Sequence, residues 1–194
     1  MHQSVIDWIK RTVKEEDIRG KIVIEVGSRD INGSIKSLIT QYNPDCYIGI
    51  DAEAGEGVDL ISNFSEKGEV GYVLNHMGED ESYDSVDVVI CLETLEHVHD
   101  WKGMIRNIKD ILDEEGILFL TTRSKGFPYH PYPEDYWRFS IQDMEMIFGP
   151  DFIIEILQPD PFMSGVFLKA IKRQHDFLIN IEVEKVKRWN QKTK

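Results

Sequence analysis

Apolar residues follow two different spacings along this chain, one typical of buried strands and the other of amphipathic helices. Short apolar runs predict strands at Lys21–Val26, Tyr47–Ile50, Val58–Ile61, Val86–Leu92, Gly116–Thr122, Phe152–Leu157 and Gly165–Ile171. Apolar residues at helical spacing predict helices over residues 3–14, 34–42, 101–112 and 141–148, with a charged helix over 175–192. Residues 66–80 are polar and rich in glycine, and they predict a helix followed by a loop.

Strands alternate with helices through most of this order, which indicates an α/β fold with parallel strands and right-handed crossovers. The last two predicted strands have no helix between them, so they should pair antiparallel as a hairpin at the sheet edge. We therefore predict a doubly wound, three-layer α/β/α sandwich around a mostly parallel seven-stranded sheet. A chain of 194 residues fits one domain, which we place at 1–194 with its core at 20–172.

Charge and hydropathy narrow the partners that we expect. The formal net charge of −13 repels phosphate backbones, so nucleic acid is disfavoured as a partner, although basic residues cluster between Lys185 and Lys194. No run approaches the roughly 18 apolar residues of a membrane span, and the N-terminus lacks the features of a signal peptide. These features predict a cytoplasmic protein without a membrane partner.

Cysteine usage gives no indication of a metal centre or a disulfide framework. Cys46 and Cys91 are the only cysteines, and both lie in apolar strand contexts. We interpret them as reduced core residues and assign no metal ligands.

The turn after the first predicted strand carries the first candidate chemistry. Glu25 lies inside the strand, where a buried carboxylate is costly unless a cleft needs it. Gly27 and Gly33 frame the turn and let its backbone approach a ligand closely. A dinucleotide fingerprint requires glycines where this chain has Arg29 and Asn32, so the turn suits a ligand without a pyrophosphate.

The second predicted strand leads into a carboxylate, Asp51, at the same expected sheet edge, which favours a pocket for a nucleoside with free hydroxyls. With this arrangement the chain resembles the class I S-adenosylmethionine-dependent methyltransferases, and within them the small-molecule branch. The segments that carry the likeness are residues 22–34 (first motif), 47–51 (second strand with its terminal acid), 84–98 (fourth strand and the L-E-T-L-E-H-V turn) and 112–121 (fifth strand). The resemblance implies a Rossmann-like fold and S-adenosylmethionine as cofactor.

The resemblance also implies roles for the residues that match the motifs. Asp51 would accept hydrogen bonds from both ribose hydroxyls, Ala52 would flank the adenine, and Asn63 would reach the adenine amino group. Glu25 would orient the glycine loop or contact the methionine end of the cofactor, with a strand-end cap or ion-pair partner as the alternative. The implied cofactor-binding set is Glu25, Gly27, Ser28, Gly33, Asp51, Ala52, Asn63, Leu92 and Glu93.

The chain departs from the family pattern at two places. Arg29 stands where a glycine is common, which affects the shape of the loop. Residues 64–82 form a longer insertion than is usual, which affects the adenine side of the site.

Residues 127–139, with the sequence F-P-Y-H-P-Y-P-E-D-Y-W-R-F, follow the fifth predicted strand at the edge where ligands bind in such sheets. Related enzymes carry similar strings there, which implies an acceptor site. The candidate general base is His130, with Tyr132 or Asp135 as fallbacks. The candidate substrate-binding residues are Tyr129, Tyr136, Trp137 and Arg138.

The alternative for residues 127–139 is a rigid plug that packs the strand ends, with Arg138 bridging Asp135 or Glu134. His97 is interpreted as a packing or capping histidine rather than a catalytic one.

The function that follows is transfer of a methyl group from S-adenosylmethionine to an oxygen or nitrogen of a small molecule, sugar or lipid head group. Residues 91–94 lack the Asp/Asn-Pro-Pro-Tyr/Phe motif of enzymes that methylate amino groups of nucleic-acid bases.

The alternative function is that of a non-catalytic cofactor-binding domain that serves as a partner or regulatory subunit and docks through residues 175–192. The missing glycines disfavour a nicotinamide-dependent oxidoreductase. The sequence leaves the oligomeric state open, a homodimer included.

Overall fold

The computed structural model describes residues 1–77, 83–131 and 134–174 and contains a seven-stranded sheet in the order β3-β2-β1-β4-β5-β7-β6. The strands are β1 Ile22–Val26, β2 Cys46–Asp51, β3 Leu60–Ile61, β4 Val86–Leu92, β5 Leu112–Arg123, β6 Phe152–Pro159 and β7 Gly165–Lys172. The helices are α1 Gln3–Thr12, α2 Glu15–Ile18, α3 Lys36–Thr40, α4 Glu69–His76, α5 Trp101–Ile111 and α6 Ile141–Phe148. The helix predicted for 175–192 lies outside the described residues.

Strand direction changes only at the end of the sheet that holds the last three strands. Strands β1 to β5 pair in parallel, whereas β7 lies antiparallel between β5 and β6. The connection between β6 and β7 is too short for a helical crossover, which is why the two strands form a hairpin. The predicted sheet with an antiparallel edge hairpin is confirmed.

Helices cover both faces of the sheet because the strands bury side chains on both sides. On one face, α1 and α3 pack against β1, β4, β5 and β7, and Trp8 lies 5.0 Å from Phe167 and 6.3 Å from Phe119 between ring centroids. On the other face, α4, α5 and α6 bury a larger apolar cluster that includes Trp101 and Phe148. This arrangement is the predicted three-layer α/β/α sandwich.

Several predicted boundaries shift for local reasons. Helix α1 ends at Thr12, because Val13 is extended and the Asp17 carboxylate accepts a hydrogen bond from the Lys14 amide at the start of α2. Helix α3 begins only at Lys36, where the Ser34 hydroxyl oxygen accepts a hydrogen bond from the Lys36 amide. Strand β5 starts four residues before the predicted Gly116, directly after α5 ends.

The order of the strands creates a crevice at one place in the sheet. The chain passes outward from β1 through β2 to β3 and then returns to form β4 on the other side of β1. In open α/β sheets, ligands bind outside the carboxyl ends of the strands at such a switch point. Among the described residues, no helix combines the length and apolar character that crossing a membrane requires.

Candidate active site

A cavity of about 1300 Å³ lies at the carboxyl ends of β1, β2, β3 and β4. Pockets for one drug-sized ligand are typically about 300–1,000 Å³, so this cavity has room for a cofactor together with an acceptor. The predicted site residues that line it are Gly27, Gly33, Asp51, Ala52, Asn63, Leu92, Glu93, His130 and Tyr136.

The glycine turn after β1 brings its backbone against the segment after β4. Gly27 has a φ of +79°, and its amide donates a 2.8 Å hydrogen bond to the carbonyl oxygen of Ile50. A Cβ atom at this position would lie 2.1 Å from the Thr94 hydroxyl oxygen. Only glycine therefore fits here, and the turn leaves its backbone exposed to the cavity. Sequence reasoning did not single out Thr94.

Asp51 closes β2 and is held by backbone amides of neighbouring loops. Its Oδ1 accepts a 3.0 Å hydrogen bond from the Glu53 amide, and its Oδ2 lies 3.4 Å from the Arg29 amide. Each carboxylate oxygen has more than one lone pair, so Asp51 keeps acceptor capacity toward the cavity. These residues fit a nucleoside ribose, whose two hydroxyls need a fixed acceptor of this kind.

The side of the cavity next to β3 is polar and oriented by its own hydrogen bonds. The Asn63 amide nitrogen donates to Glu66 Oε1 at 2.8 Å, and its oxygen accepts from the Ser65 hydroxyl at 2.8 Å. All three residues line the cavity. Asn63 is therefore held at the wall, where the resemblance places an adenine contact.

Glu93 directly follows β4, has an unusual backbone conformation and is held by a buried polar network. Its φ is +54°, which is costly for a residue other than glycine and persists only where the surroundings hold it. Its carboxylate accepts a 2.9 Å hydrogen bond from the Thr121 hydroxyl and forms an ion pair with Arg123. Arg123 is fully buried and also pairs with Asp160 at 3.2 Å.

Two of the predicted cofactor residues, Glu25 and Ser28, lie behind the cavity wall. Glu25 is buried, accepts a hydrogen bond from the Tyr47 hydroxyl and does not line the cavity. Burial raises the pKa of Glu25 to about 7, and the hydrogen bond from Tyr47 opposes the shift. The Ser28 side chain is buried beside Gly49 and Gly57, where a Cβ on Gly49 would lie 2.7 Å from Ser28 Oγ. Both residues therefore hold the loops in place. Neither lines the cavity in which the cofactor would bind.

Three side chains that no sequence motif combines, those of Glu96, His97 and His130, lie close together beside the cavity. Glu96 and His97 belong to a 3₁₀ turn after β4, and His130 comes from the segment after β5. The Nε2 atoms of His97 and His130 lie 4.0 Å and 3.9 Å from Glu96 Oε1. The two imidazole rings are 4.8 Å apart between centroids and both histidines line the cavity. The sequence favours a packing or capping role for His97, and no spacing rule links it to a histidine 33 positions later.

Asp135 and Arg138 support this cluster from behind. Arg138 is buried, forms an ion pair with Asp135 and donates to the Pro128 carbonyl oxygen at 3.1 Å. Neither residue lines the cavity, so the structure matches the alternative in which Arg138 bridges Asp135. Asp135 Oδ2 also accepts a 2.9 Å hydrogen bond from the His130 amide and lies 3.0 Å from His130 Nδ1.

The pKa values of these groups follow from their burial. Burial lowers the pKa of His130 to about 4, although the Asp135 carboxylate opposes this shift. Burial alone would raise the pKa of Asp135, but hydrogen bonds from Arg138 and the His130 amide outweigh it and keep the pKa below its ordinary value. Burial raises the pKa of Glu96. His130 is therefore neutral at pH 7.

The remaining predicted acceptor residues separate into two groups. Tyr136 lines the cavity, with its ring 5.3 Å from the ring of His99. Trp137 does not line the cavity and donates a 2.9 Å hydrogen bond to the Val98 carbonyl oxygen. Tyr129 is exposed and does not line the cavity either. Tyr132 falls outside the described residues.

Comparison with known families identifies the class of protein that this fold and site define. The family described as "Methyltransferase domain" matches residues 1–177. The chain belongs to this family, and thus to the class I S-adenosylmethionine-dependent methyltransferases.

Curated relatives are similar to parts of the chain. It is 28% identical over 109 residues to a tRNA U34 carboxymethyltransferase of Campylobacter lari, covering 55% of this chain and 37% of that protein. It is 25% identical over 129 residues to a ubiquinone biosynthesis O-methyltransferase of Coxiella burnetii, covering 64% of this chain and 53% of that protein. The chain thus spans between about a third and a half of the length of these relatives.

Solved structures share the fold at low identity. An S-adenosylmethionine-dependent methyltransferase from Mesorhizobium loti superposes with a TM-score of 0.61 at 11% identity, covering 87% of this chain and 98% of that one. A magnesium protoporphyrin IX methyltransferase from Synechocystis PCC 6803, solved with bound S-adenosylhomocysteine, gives 0.58 at 17% identity and covers 88% and 82%. A methyltransferase from Haloferax volcanii, solved in complex with the activator Trm112, gives 0.63 at 12% identity and covers 91% and 92%.

Proposed function

We propose that this protein transfers a methyl group from S-adenosylmethionine to an oxygen or nitrogen of a small molecule, sugar or lipid head group. The observation that carries the proposal is the Asp51 carboxylate, which lies in the wall of a cavity large enough for two ligands. In addition, the segment after β5 contributes a neutral histidine, His130, to the lining of that cavity.

Cofactor binding would use the carboxyl ends of β1 to β4. Asp51 would accept hydrogen bonds from the ribose hydroxyls, Asn63 would contact the adenine, and the backbone at Gly27 would pass close to the methionine end. When bound, S-adenosylmethionine supplies a methyl group that its positively charged sulfur makes electrophilic. The main task of the protein is then to hold the acceptor atom in line with that methyl group, and such alignment contributes about 7–11 kcal/mol in well-oriented reactions.

The acceptor would enter between His97, His130 and Tyr136. A hydroxyl acceptor must lose a proton as an oxygen lone pair forms the new bond to carbon. An ammonium acceptor must lose a proton before it reacts, because only the neutral amine has a lone pair. Nδ1 of His130 lies 3.0 Å from Asp135 Oδ2, so Nδ1 carries the proton and Nε2 carries the lone pair of a residue that lines the cavity. His130 is therefore the candidate general base, with Asp135 as the group that orients it.

The small-molecule acceptor class rests on charge as well as on geometry. The net charge of −13 disfavours an RNA substrate, since phosphate contacts supply most of the non-specific affinity for nucleic acid. One relative is an O-methyltransferase of ubiquinone biosynthesis and another modifies tRNA. The activity test therefore needs both kinds of acceptor.

The test begins with calorimetric titration of S-adenosylhomocysteine into wild type, Asp51→Asn and the control Asp110→Asn, which makes the same chemical change on an exposed position of α5. Loss of hydrogen bonds to a charged group costs about 1.5–3 kcal/mol, so Asp51→Asn should bind about 10- to 100-fold more weakly while the control is unchanged. Equal affinity of Asp51→Asn and wild type would contradict the assigned role of Asp51.

The second half of the test measures transfer of a labelled methyl group to hydroxyl and amine acceptors and to a bulk tRNA preparation. Turnover of small acceptors alone is the expected result. Turnover of tRNA alone would overturn the acceptor class. Cofactor binding without any turnover, together with a stable complex with another protein, would instead favour the non-catalytic subunit.

A further inference from the structure

Three potential metal ligands converge at the acceptor end of the cavity. The Glu96 carboxylate and the His97 and His130 imidazoles each offer one atom, and these atoms all lie within 4.8 Å of one another. We propose that Glu96 Oε1, His97 Nε2 and His130 Nε2 bind a divalent transition-metal ion such as Mn²⁺, Co²⁺ or Zn²⁺.

The first argument is the state of the Glu96 carboxylate. Glu96 is fully buried, and its Oε2 accepts a 2.8 Å hydrogen bond from the Thr122 hydroxyl. Among the described residues, its Oε1 has no hydrogen-bond donor. A buried carboxylate oxygen without a donor costs free energy, and two histidine nitrogens are the groups that it faces. A cation between these atoms would remove that cost.

The second argument is the orientation of both imidazoles. His97 Nδ1 lies 2.6 Å from the Glu134 carbonyl oxygen, and His130 Nδ1 lies 3.0 Å from Asp135 Oδ2. Because both oxygens are acceptors, each Nδ1 carries the proton, and each Nε2 presents a lone pair. The two Nε2 atoms that carry these lone pairs are the ones that lie 4.0 and 3.9 Å from Glu96 Oε1. Histidine ligands of metal ions show the same arrangement, in which the second nitrogen donates to a carboxylate or carbonyl oxygen.

The donor set determines which ions fit. Imidazole nitrogen suits zinc, copper, iron and nickel, and the carboxylate oxygen is also a ligand of manganese. Calcium prefers oxygen ligands throughout, and magnesium is usually held by carboxylates and water. Zinc bonds of about 2.1 Å in tetrahedral geometry place ligand atoms about 3.4 Å apart. The distances from Glu96 Oε1 are 3.9 and 4.0 Å, and the three ligand atoms all lie within 4.8 Å of one another, so side-chain movements of about 0.5–1.4 Å reach that value. Three protein ligands leave coordination positions open, as in catalytic sites.

The position of the cluster connects the ion to the acceptor, and this step rests on the proposed function. His97 and His130 line the cavity, so the open coordination positions would face the acceptor. A divalent ion lowers the pKa of a hydroxyl that binds to it, and the proton then passes to solvent. The acceptor oxygen would form its bond to the methyl carbon as the carbon–sulfur bond breaks and its electron pair returns to sulfur. His130 would then serve as a ligand instead of a base.

The experiment is a titration of metal-free protein, prepared with a chelator, with Co²⁺, Mn²⁺ and Zn²⁺. Calorimetry gives affinity and stoichiometry, and the visible absorption of Co²⁺ reports its coordination. The variants are Glu96→Gln, which keeps size and removes charge, His97→Asn, and Thr122→Val, which removes the hydroxyl that holds Glu96. The matched control is His76→Asn, because His76 is an exposed histidine of α4 outside the cavity.

Wild type and His76→Asn should bind one ion with equal affinity and give the same Co²⁺ spectrum. Glu96→Gln and His97→Asn should bind more than about 100-fold more weakly, and Thr122→Val about 10-fold more weakly, in the range of substitutions behind metal ligands. Circular dichroism verifies that each variant is folded, and Thr122→Val keeps the test open if a ligand variant is not. No saturable binding by wild type, or equal binding by Glu96→Gln, would overturn the proposal.

The result is independent of the methyl-transfer assay. Metal binding that depends on Glu96, with no turnover of any acceptor, would retain the site and reject the proposed function. Methyl transfer by chelated protein at the full wild-type rate would retain the proposed function and reject a role of the ion in activating the acceptor.

Discussion

Gly27 and Thr94 belong to turns that follow different strands, yet a Cβ atom on residue 27 would lie 2.1 Å from the Thr94 hydroxyl oxygen. This contact joins the loop after β1 to the loop after β4. The two loops form adjacent parts of the cavity wall, so their packing sets the shape of the site at the switch point of the sheet.

The substitution Gly27→Ala should therefore affect both stability and cofactor binding. The left-handed backbone alone costs a side chain about 1–2 kcal/mol, and the contact with Thr94 adds to it. We expect a loss of about 3 kcal/mol in the free energy of unfolding and weaker binding of S-adenosylhomocysteine. Urea unfolding and calorimetry measure the two effects.

Gly68→Ala is the control for backbone conformation. Gly68 has a φ of +88°, but a Cβ there meets no atom within 4 Å. Its variant should lose about 1 kcal/mol and bind the cofactor normally. Equal effects of the two substitutions would show that the contact with Thr94 has no energetic importance.

The buried Glu25 predicts how stability depends on pH. Its pKa is about 7 in the folded protein, above its ordinary value of 4.5, so the folded state binds the proton more tightly than the unfolded state. The contribution of Glu25 to stability is thus full below pH 4.5, falls between pH 4.5 and 7 and stays low above pH 7. At 1.36 kcal/mol per pKa unit, the loss is about 3 kcal/mol.

The variant Glu25→Gln tests this prediction, because the amide still accepts a hydrogen bond from Tyr47 and cannot ionise. Relative to wild type, it should gain about 3 kcal/mol of stability at pH 8 compared with pH 4.5. The exposed Glu145 on α6 provides the control Glu145→Gln. An unfolding free energy of Glu25→Gln that follows wild type at every pH would contradict the raised pKa.

The fully buried Arg123 should be essential for stability. It pairs with Glu93 and Asp160, and Arg123→Met would leave both carboxylates without their cation. Removing one partner of a buried ion pair costs about 3–5 kcal/mol, which chemical unfolding can measure. The control is Arg11→Met on the exposed side of α1, where we expect a change below about 0.5 kcal/mol. Similar values for the two variants would rule out a structural role for the network.

His130 should be required for turnover. As a general base, its loss in His130→Ala should lower kcat about 10²–10⁴-fold, while the affinity for S-adenosylhomocysteine stays unchanged. A metal-ligand role also predicts a large loss of turnover, and the cobalt titration distinguishes the two. The exposed His76→Ala is the control. A wild-type rate of His130→Ala at saturating acceptor would remove the residue from both roles.

Sequence reasoning was most accurate where hydrophobic spacing alone decides the structure. Val86–Leu92 and Ile141–Phe148 have the predicted bounds, because a continuous apolar run and a helix between a serine cap and Gly149 leave few alternatives. The parallel pairing of most strands was predicted from their alternation with helices, whereas the order of the strands in the sheet was not predicted. The ends of α3 and β5 depend on side-chain hydrogen bonds and register, which apolar spacing does not encode.

The site was predictable only as far as motifs reach. Asp51 and Gly27 lie in the cavity wall because strand ends fix their positions. The sequence did not determine the partner of the Arg138 guanidinium. A bound substrate and the carboxylate of Asp135 were both compatible with it, and the structure shows the ion pair with Asp135. The meeting of Glu96 with His130 depends on how the segment after β5 returns to the 3₁₀ turn after β4, and no local pattern contains that information.

The polar contacts behind β4 have a consequence for protein engineering. Ser4 on α1 donates a 2.7 Å hydrogen bond to Asp160, which pairs with Arg123, which in turn pairs with Glu93 at the cavity wall. A library designed to broaden acceptor range should keep these four positions constant and diversify His99 and Tyr136, which line the cavity outside this series. Random substitutions at Ser4 on α1 would otherwise alter the position of Glu93 through Asp160 and Arg123. Their effect on activity would then conceal the effect of substitutions at residues that contact the acceptor.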